Sequence, residues 1–96
     1  MRFNLPVRRQ EFAAIARLLG EDINGLSEEA AAERAIVAVE RLRYDIGIPQ
    51  RLRDLGVQQT QLCLFAEKAF SIKRILRVNP RSMTVEDLEG ILRSAL

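Results

Sequence analysis

Few side chains in this 96-residue sequence could carry out chemistry. Histidine is absent, and Cys63 is the single cysteine. A Cys or Ser nucleophile would therefore lack the histidine that usually serves as its base. Cys63 stands between Leu62 and Leu64 in a predicted helix, and free cysteine is among the most buried residue types. We therefore expect a buried, structural thiol and no catalytic residue.

Carboxylates are the remaining candidates for binding a metal. Glu28, Glu29 and Glu33 are close in sequence, but they stand near the start of a predicted helix, where negative charge stabilises the helix dipole. Zinc and iron sites need His, Cys, Asp or Glu clustered at defined spacings. The sequence therefore predicts no metal site, and without a glycine-rich phosphate loop it predicts no cofactor-binding residue.

A basic group in the second half of the chain could bind an anion. Lys73, Arg74 and Arg77 would share one face of a helix, with Arg81 shortly after them, as a phosphate-binding patch requires. No Tyr or Phe alternates with them for stacking on bases, and the net charge is only +2. We favour a solvated face paired in part with nearby acidic residues, and we do not expect nucleic-acid binding.

The tripeptide Asn79-Pro80-Arg81 predicts a structural corner. Pro80 disfavours the helical conformation at Asn79, and Asn at such a position commonly begins a turn. Arg81 could cap carbonyl groups of a preceding helix, or it could hold a phosphate or carboxylate of a ligand. Spacing alone favours the capping role.

Composition places these residues in one small domain that spans residues 1–96. The chain is rich in Ala, Leu, Arg and Glu, which lose little side-chain freedom in helices. No apolar run is long enough to cross a bilayer, and the N-terminal residues lack the apolar stretch of a secretory signal. A lone cysteine fits a reducing compartment, so we expect a cytoplasmic protein without membrane contact.

Two helices are predicted in the first half. The first follows Pro6 and ends near Gly20, with an apolar stripe of Phe12, Ile15, Ala16 and Leu19. The second begins at the N-cap Ser27 and ends at Gly47. Its face is predicted to be buried over about five turns, through Ala32, Ala35, Ile36, Val39, Leu42 and Ile46. Four alanines between residues 30 and 35 indicate close approach by a neighbouring helix.

The second half is predicted to contain a short helix that stops at Gly56 and a longer one from about Gln59 to Ser71. Residues 72–78 could extend that helix or form an irregular crossing. The last helix starts at Thr84, with Asp87 completing a shortened capping box and a stripe of Leu88, Ile91, Leu92 and Ala95. No strand pattern is present. The fold class is therefore all-α, a small helical bundle of four main helices plus one short helix.

The order of these signals resembles the C-terminal end of the iron-containing (group III) alcohol dehydrogenases. The segments GIPQRLRDLGV and LCLFAEKAFSIKRILRVNPRSMTVEDLEGILRSAL resemble the closing elements of that family. Phe3-Asn4 resembles the dipeptide that follows the family's last metal-binding histidine by a short interval. The other matching residues are Gly47, Ile48, Pro49, Leu52, Leu55, Gly56, Val57, Leu62, Ala66, Ala69, Asn79, Pro80, Arg81, Thr84, Glu86, Asp87, Leu88, Ile91, Leu92 and Ala95.

This resemblance implies a parent enzyme with an N-terminal nucleotide-binding α/β domain and a helical domain that holds Fe²⁺ or another divalent metal. In such enzymes an Asp and three His bind the metal, and hydride passes between NAD(P) and an alcohol or aldehyde. All four ligands and the nucleotide domain would lie before Met1. The chain would then be a C-terminal helical fragment that is structural, inactive alone and without a cofactor of its own.

The resemblance also places Ile75 at the edge of the substrate cavity, where an isoleucine implies a more apolar pocket. The partner would be the remainder of the parent enzyme, or further copies of this chain through exposed apolar helix faces. The alternative is a free-standing helical protein-interaction module that has no catalytic activity.

Overall fold

The computed structural model describes residues 1–96 and contains helices without strands, with 64% of the residues helical. This confirms the all-α prediction. The α-helices are α1 (Arg9–Leu18), α2 (Glu28–Asp45), α3 (Leu62–Phe70), α4 (Lys73–Leu76) and α5 (Val85–Ser94). Short 3-10 helices span Leu5–Val7, Leu52–Leu55 and Gln59–Gln61. Each helix is too short or too polar to cross a membrane.

The chain divides into two compact units, residues 1–48 and residues 49–96. The core of the first unit lies where α1 packs against α2. Its buried side chains are Leu5, Phe12, Ala16, Ala32, Ala35 and Ile36. Because alanine side chains are small, the two helices can approach closely, as the alanine cluster predicted.

The two ends of α2 follow the local signals in the sequence. Ser27 Oγ accepts a hydrogen bond from Ala30 N at 3.1 Å, which caps the first turn. At the other end Gly47 has a φ of +78°, and Ile48 N donates to Arg43 O at 3.0 Å. This is a Schellman motif, in which the left-handed glycine lets the chain turn back onto the last carbonyl groups.

Burial on α2 extends over fewer turns than predicted. Leu42 and Ile46 are 52% and 63% exposed, so their predicted burial is wrong in this structure. The reason is length, because α1 has 10 residues and α2 has 18. At 1.5 Å per residue, about 15 Å of helix cannot cover about 27 Å.

The start and stripe of α1 also differ from the prediction. Pro6 lies in a 3-10 turn, and α1 begins at Arg9 because Arg8 has a non-helical φ of −140° and ψ of 38°. Of the predicted stripe, Phe12 and Ala16 are buried, whereas Ile15 and Leu19 are exposed. Two residues of the stripe therefore make the core contact, not four.

The N-terminal residues are held to α2 by an exposed ion pair network. The guanidinium of Arg2 donates to Glu33 Oε1, and it donates to Glu40 Oε1 at 3.1 Å. Glu33 and Glu40 are seven residues apart, so they lie two turns apart on one face of α2. Together with the buried Leu5, this network fixes the path of the first residues.

In the second unit α3 packs against α5. Leu62 and Ala66, one turn apart on α3, are fully buried. The predicted helix from Gln59 to Ser71 is divided into a 3-10 turn over Gln59–Gln61 and α3 itself. The predicted short helix before Gly56 is present as the 3-10 turn Leu52–Leu55.

The 3-10 turn Leu52–Leu55 closes the C-terminal end of α5. Arg51 Nη1 donates to Ser94 O at 3.1 Å, and Arg53 Nε donates to Leu96 O at 2.6 Å. Carbonyl groups at a helix end have no partner within the helix. The two arginines therefore satisfy groups that would otherwise require water.

Candidate functional site

An open apolar cavity of about 470 Å³ lies in the second unit, and we call it the Ile75 groove. It is bounded by the end of α3, by α4, by the corner at residues 79–81 and by the start of α5. Its apolar lining includes Ile72, Ile75, Leu76, Val78, Met83 and Leu88. A cavity of this size and lining is typical of small-molecule sites in proteins.

The break between α3 and α4 positions one wall of the groove. Ile72 has a φ of −85° and a ψ of 69°, which ends α3 and lets one new helical turn begin at Lys73. Residues 72–78, for which the sequence left two alternatives, thus do not continue α3 and are not irregular throughout. They contain the separate helical turn α4. Ile72, Ile75 and Leu76 are spaced at i, i+3 and i+4, so they share the face that lines the groove.

Ile75 and Val78 are 57% and 76% exposed, and both line the groove. Apolar side chains of this size at an open cavity present a surface that a ligand or a protein segment can cover. The position of Ile75 at the edge of a substrate cavity stays a prediction.

Asn79 and Pro80, at the corner formed by residues 79–81, are the next part of the lining. Asn79 Nδ2 donates to Arg81 O at 2.6 Å, and Asn79 N donates to Leu76 O at 3.1 Å. The side-chain amide thus bridges Pro80 and holds the bend. Whether the Arg81 guanidinium caps carbonyl groups or meets a ligand stays a prediction.

The α5 side of the groove is fixed by helix capping. Asp87 N donates to Thr84 Oγ1 at 3.1 Å, and Thr84 N donates to Asp87 Oδ2 at 2.9 Å, so the predicted capping box is confirmed. Met83 and Leu88 stand at the N′ and N4 positions of this cap, where an apolar pair commonly forms a hydrophobic staple. Both residues line the groove.

The four basic residues considered as an anion site do not share one environment. Lys73, Arg74 and Arg77 are exposed on or beside α4, whereas Arg81 is half-buried at the corner. Lys73 Nζ lies 3.2 Å from the centroid of the Phe70 ring, which is a cation–π contact. One of the four charges is therefore engaged by the protein's own aromatic ring.

The expectation that Cys63 is buried is wrong. Its neighbour Leu62 on α3 is fully buried. One residue later the helix has turned by 100°, so Cys63 is exposed. Cys63 Sγ donates to Glu67 Oε1 at 3.8 Å. The negative charge of Glu67 raises the pKa of the Cys63 thiol above its ordinary value, with further contributions from desolvation and from Glu89.

The side chains of this chain do not fit an iron site. No three His, Cys, Asp or Glu residues come together in an arrangement that could hold a metal ion. Glu28 and Glu29 lie in the first turn of α2, and Glu33 binds Arg2. We therefore assign no metal-dependent step to these residues.

Several groove residues were not predicted from the sequence as site residues. Met83 and Leu88 flank the capping box at the start of α5, whereas Ile72 directly precedes α4, and only the fold brings Ile72 to one cavity with the other two. The pattern M-T-V-E-D-L, with apolar residues flanking a capping box at N′ and N4, was a usable signal for the first two.

Comparison with known proteins shows the family to which the chain belongs. The family model for the C-terminal part of the Fe-containing alcohol dehydrogenase family matches residues 1–96. The NAD-dependent methanol dehydrogenase of Bacillus methanolicus is 46% identical over 94 residues, which are 98% of this chain and 24% of that protein. The 1,3-propanediol dehydrogenase of Klebsiella pneumoniae shares the same identity and the same coverage.

The fold agrees with a solved structure as well. A crystal structure of 1,3-propanediol oxidoreductase superposes with a TM-score of 0.94 at 46% identity, covering 99% of this chain and 25% of that one. The chain therefore belongs to the iron-containing alcohol dehydrogenase family and corresponds to its C-terminal part. It spans about a quarter of the length of the curated relatives it matches.

Proposed function

We propose that this chain is the C-terminal segment of an NAD(P)-dependent, iron-type alcohol dehydrogenase and that it lines one edge of the substrate cleft. The metal, the nucleotide and the hydride transfer would belong to the rest of that enzyme. The observation that carries the proposal is the family match over all 96 residues. Relatives named as dehydrogenases of methanol and 1,3-propanediol support the reaction class.

The Ile75 groove supports the second part of the proposal. Its lining is apolar apart from Asn79, so it can exclude water and contact the carbon chain of a substrate without competing for the reacting oxygen. Ile75 would form the edge of the cleft. A branched apolar residue at this place favours an apolar substrate over one with a polar group at the same depth.

Exposed apolar side chains support the remainder of the parent enzyme as the partner. Leu18, Tyr44, Ile46, Leu55 and Val78 are each more than 60% exposed. In a complete enzyme, burial of such side chains would contribute about 25 cal/mol for each Å² of apolar surface removed from water. Without the rest of the enzyme, the same side chains would favour self-association of the chain.

The decisive experiment is a chimaera. In the 1,3-propanediol dehydrogenase of Klebsiella pneumoniae, the 94 matched residues are replaced by the corresponding residues of this chain. The expected result is NAD(P)-linked, metal-dependent oxidation of short alcohols. A folded, metal-loaded chimaera without such activity would contradict the proposal.

A second experiment tests whether this chain is inactive alone. The 96-residue chain is incubated with NADH or NADPH, Fe²⁺ and propionaldehyde, and absorbance at the nicotinamide band is followed. No turnover is expected, and a measurable rate that Ile75→Asp abolishes would overturn the assignment of chemistry to the rest of the enzyme.

The alternative of a free-standing interaction module rests on the same exposed apolar side chains. It predicts a dimer that persists on dilution, because a dedicated interface buries a continuous apolar core. Adventitious association would instead weaken on dilution. Sedimentation velocity over a hundredfold concentration range separates the two.

A further inference from the structure

We infer that Met83 determines the length of the alkyl group that the Ile75 groove accepts, which makes Met83 a specificity-determining residue for the substrate. This inference rests on the proposed function, because it takes the groove as one edge of the substrate cleft. It adds a residue outside the α4 segment and the class of substrate that the groove selects, a neutral alcohol or aldehyde with an unbranched alkyl chain.

The position of Met83 separates it from the other lining residues. Ile75 and Leu76 line the groove from α4 and Ile72 from the residue before it, whereas Met83 and Leu88 line it from the α5 side. Met83 directly precedes the N-cap Thr84, whose capping box holds the local backbone. A change of the Met83 side chain therefore changes the free volume of the groove while its backbone walls stay in place.

The side chain of Met83 is also the adjustable one. Isoleucine and valine are restricted at χ1, and Pro80 is rigid, so these lining residues have little freedom. Methionine is unbranched, has three rotatable side-chain bonds and adapts to irregular spaces. Met83 is half-buried, so part of its side chain is packed and part reaches the groove.

The charges around the groove indicate a neutral ligand. The nearby basic residues Lys73, Arg74, Arg77 and Arg81 do not line the cavity. The amide nitrogen of Asn79, the polar lining residue, donates to Arg81 O. An alkyl chain makes no hydrogen bonds to water, so it loses none when it enters this apolar groove. A second hydroxyl group would lose its hydrogen bonds to water there.

The test uses the chimaera described above and measures kcat/KM for 1-hexanol divided by kcat/KM for ethanol. Met83→Ala should raise this ratio at least about fourfold, since each additional buried methylene changes binding by about that factor. Met83→Leu, which nearly conserves volume, should keep the ratio within about twofold of the unsubstituted chimaera. Leu64→Ala removes an exposed apolar side chain that does not line the groove and serves as the matched control.

Ile75→Ala separates this inference from the proposed function. If Ile75→Ala changes the ratio and Met83→Ala does not, the inference about Met83 is wrong. The proposal that the groove lines one edge of the substrate cleft is then retained. If neither variant changes the ratio in an active chimaera, both are wrong. A lowered melting temperature of Met83→Ala with an unchanged ratio would show a purely structural role and overturn the inference.

A second measurement does not depend on the activity of the chimaera. Met1 and Met83 are the two methionines of the chain, so labelling with [¹³C-methyl]methionine gives two assignable signals. On titration of the 96-residue chain with 1-hexanol, the Met83 methyl signal should shift saturably, and the Met1 signal should stay in place. Equal or absent shifts of the two signals would show that the groove does not take an alkyl chain.

Discussion

Thr84 and Asp87 satisfy each other's backbone amides at the start of α5. Asp87 N donates to Thr84 Oγ1 at 3.1 Å, and Thr84 N donates to Asp87 Oδ2 at 2.9 Å. The pair does more than begin a helix, because Met83 and Leu88 flank it and both line the Ile75 groove. A local capping motif thus positions one wall of the candidate site.

Thr84→Ala should lower the free energy of unfolding by about 1 kcal/mol, because N-cap substitutions of this kind leave an amide at the helix start without its partner. Urea unfolding followed by circular dichroism measures the loss. Thr60→Ala, at an exposed threonine in the 3-10 turn Gln59–Gln61, is the matched control and should change stability by less than about 0.5 kcal/mol. Equal effects of the two changes would contradict the capping role.

Two glycines should respond in opposite directions to alanine. Gly90 lies inside α5, and an added Cβ would have no heavy atom within 4 Å, so Gly90→Ala should stabilise the chain by about 0.5–1 kcal/mol. Gly47 has a φ of +78°, which an L-residue adopts at a cost of about 1–2 kcal/mol, so Gly47→Ala should destabilise it. Melting temperatures of both variants, taken side by side, test the signs.

Packing of α1 against α2 should not tolerate larger side chains at the alanines. Ala32 is fully buried, so Ala32→Leu should cost about 1–3 kcal/mol through overpacking. Ala30 is exposed on the same helix, and Ala30→Leu is the control, with a change within about 0.5 kcal/mol. If Ala32→Leu unfolded at the same denaturant concentration as the control, the close approach of the helices would be in doubt.

The Cys63 thiol should react more slowly with iodoacetamide at neutral pH than an unperturbed thiol. The carboxylate of Glu67 raises the pKa of this thiol, so the reactive thiolate is less populated at a given pH. Glu67→Gln removes the charge and should move the midpoint of the rate against pH to lower pH. Glu28→Gln, on a different helix and in the other unit, should leave that profile unchanged.

Signals within a few residues of one another were sufficient to predict much of the fold. Ser27 and Thr84 cap the helices that were predicted from them, and Gly47 ends α2 with the expected positive φ. These features depend on one residue's own conformation and on hydrogen bonds to the next turn, so they can be read without knowing what packs nearby. The break at Ile72 was left open, because β-branched and basic residues are compatible with both helical and irregular backbone there.

Burial was predicted less well than helix formation. The apolar periodicity of α2 identified a face, but α1 covers only the part that contains Ala32, Ala35 and Ile36. Residue type favoured a buried Cys63, although the orientation of α3 places it beside Glu67 at the surface. A pattern of apolar residues shows which side of a helix can be buried, and the length and position of the neighbouring element decide how much of it is.

The sequence by itself determined the four longer helices, the caps of α2 and α5, and the resemblance that the family match confirms. Only the tertiary structure brought Ile75, on the short helix α4, into one apolar cavity with Met83 and Leu88 at the start of α5. The physical reason is the separation in sequence between the residues on which each feature depends. Caps and turns depend on contacts a few residues apart, whereas a groove between elements depends on where packing places whole helices.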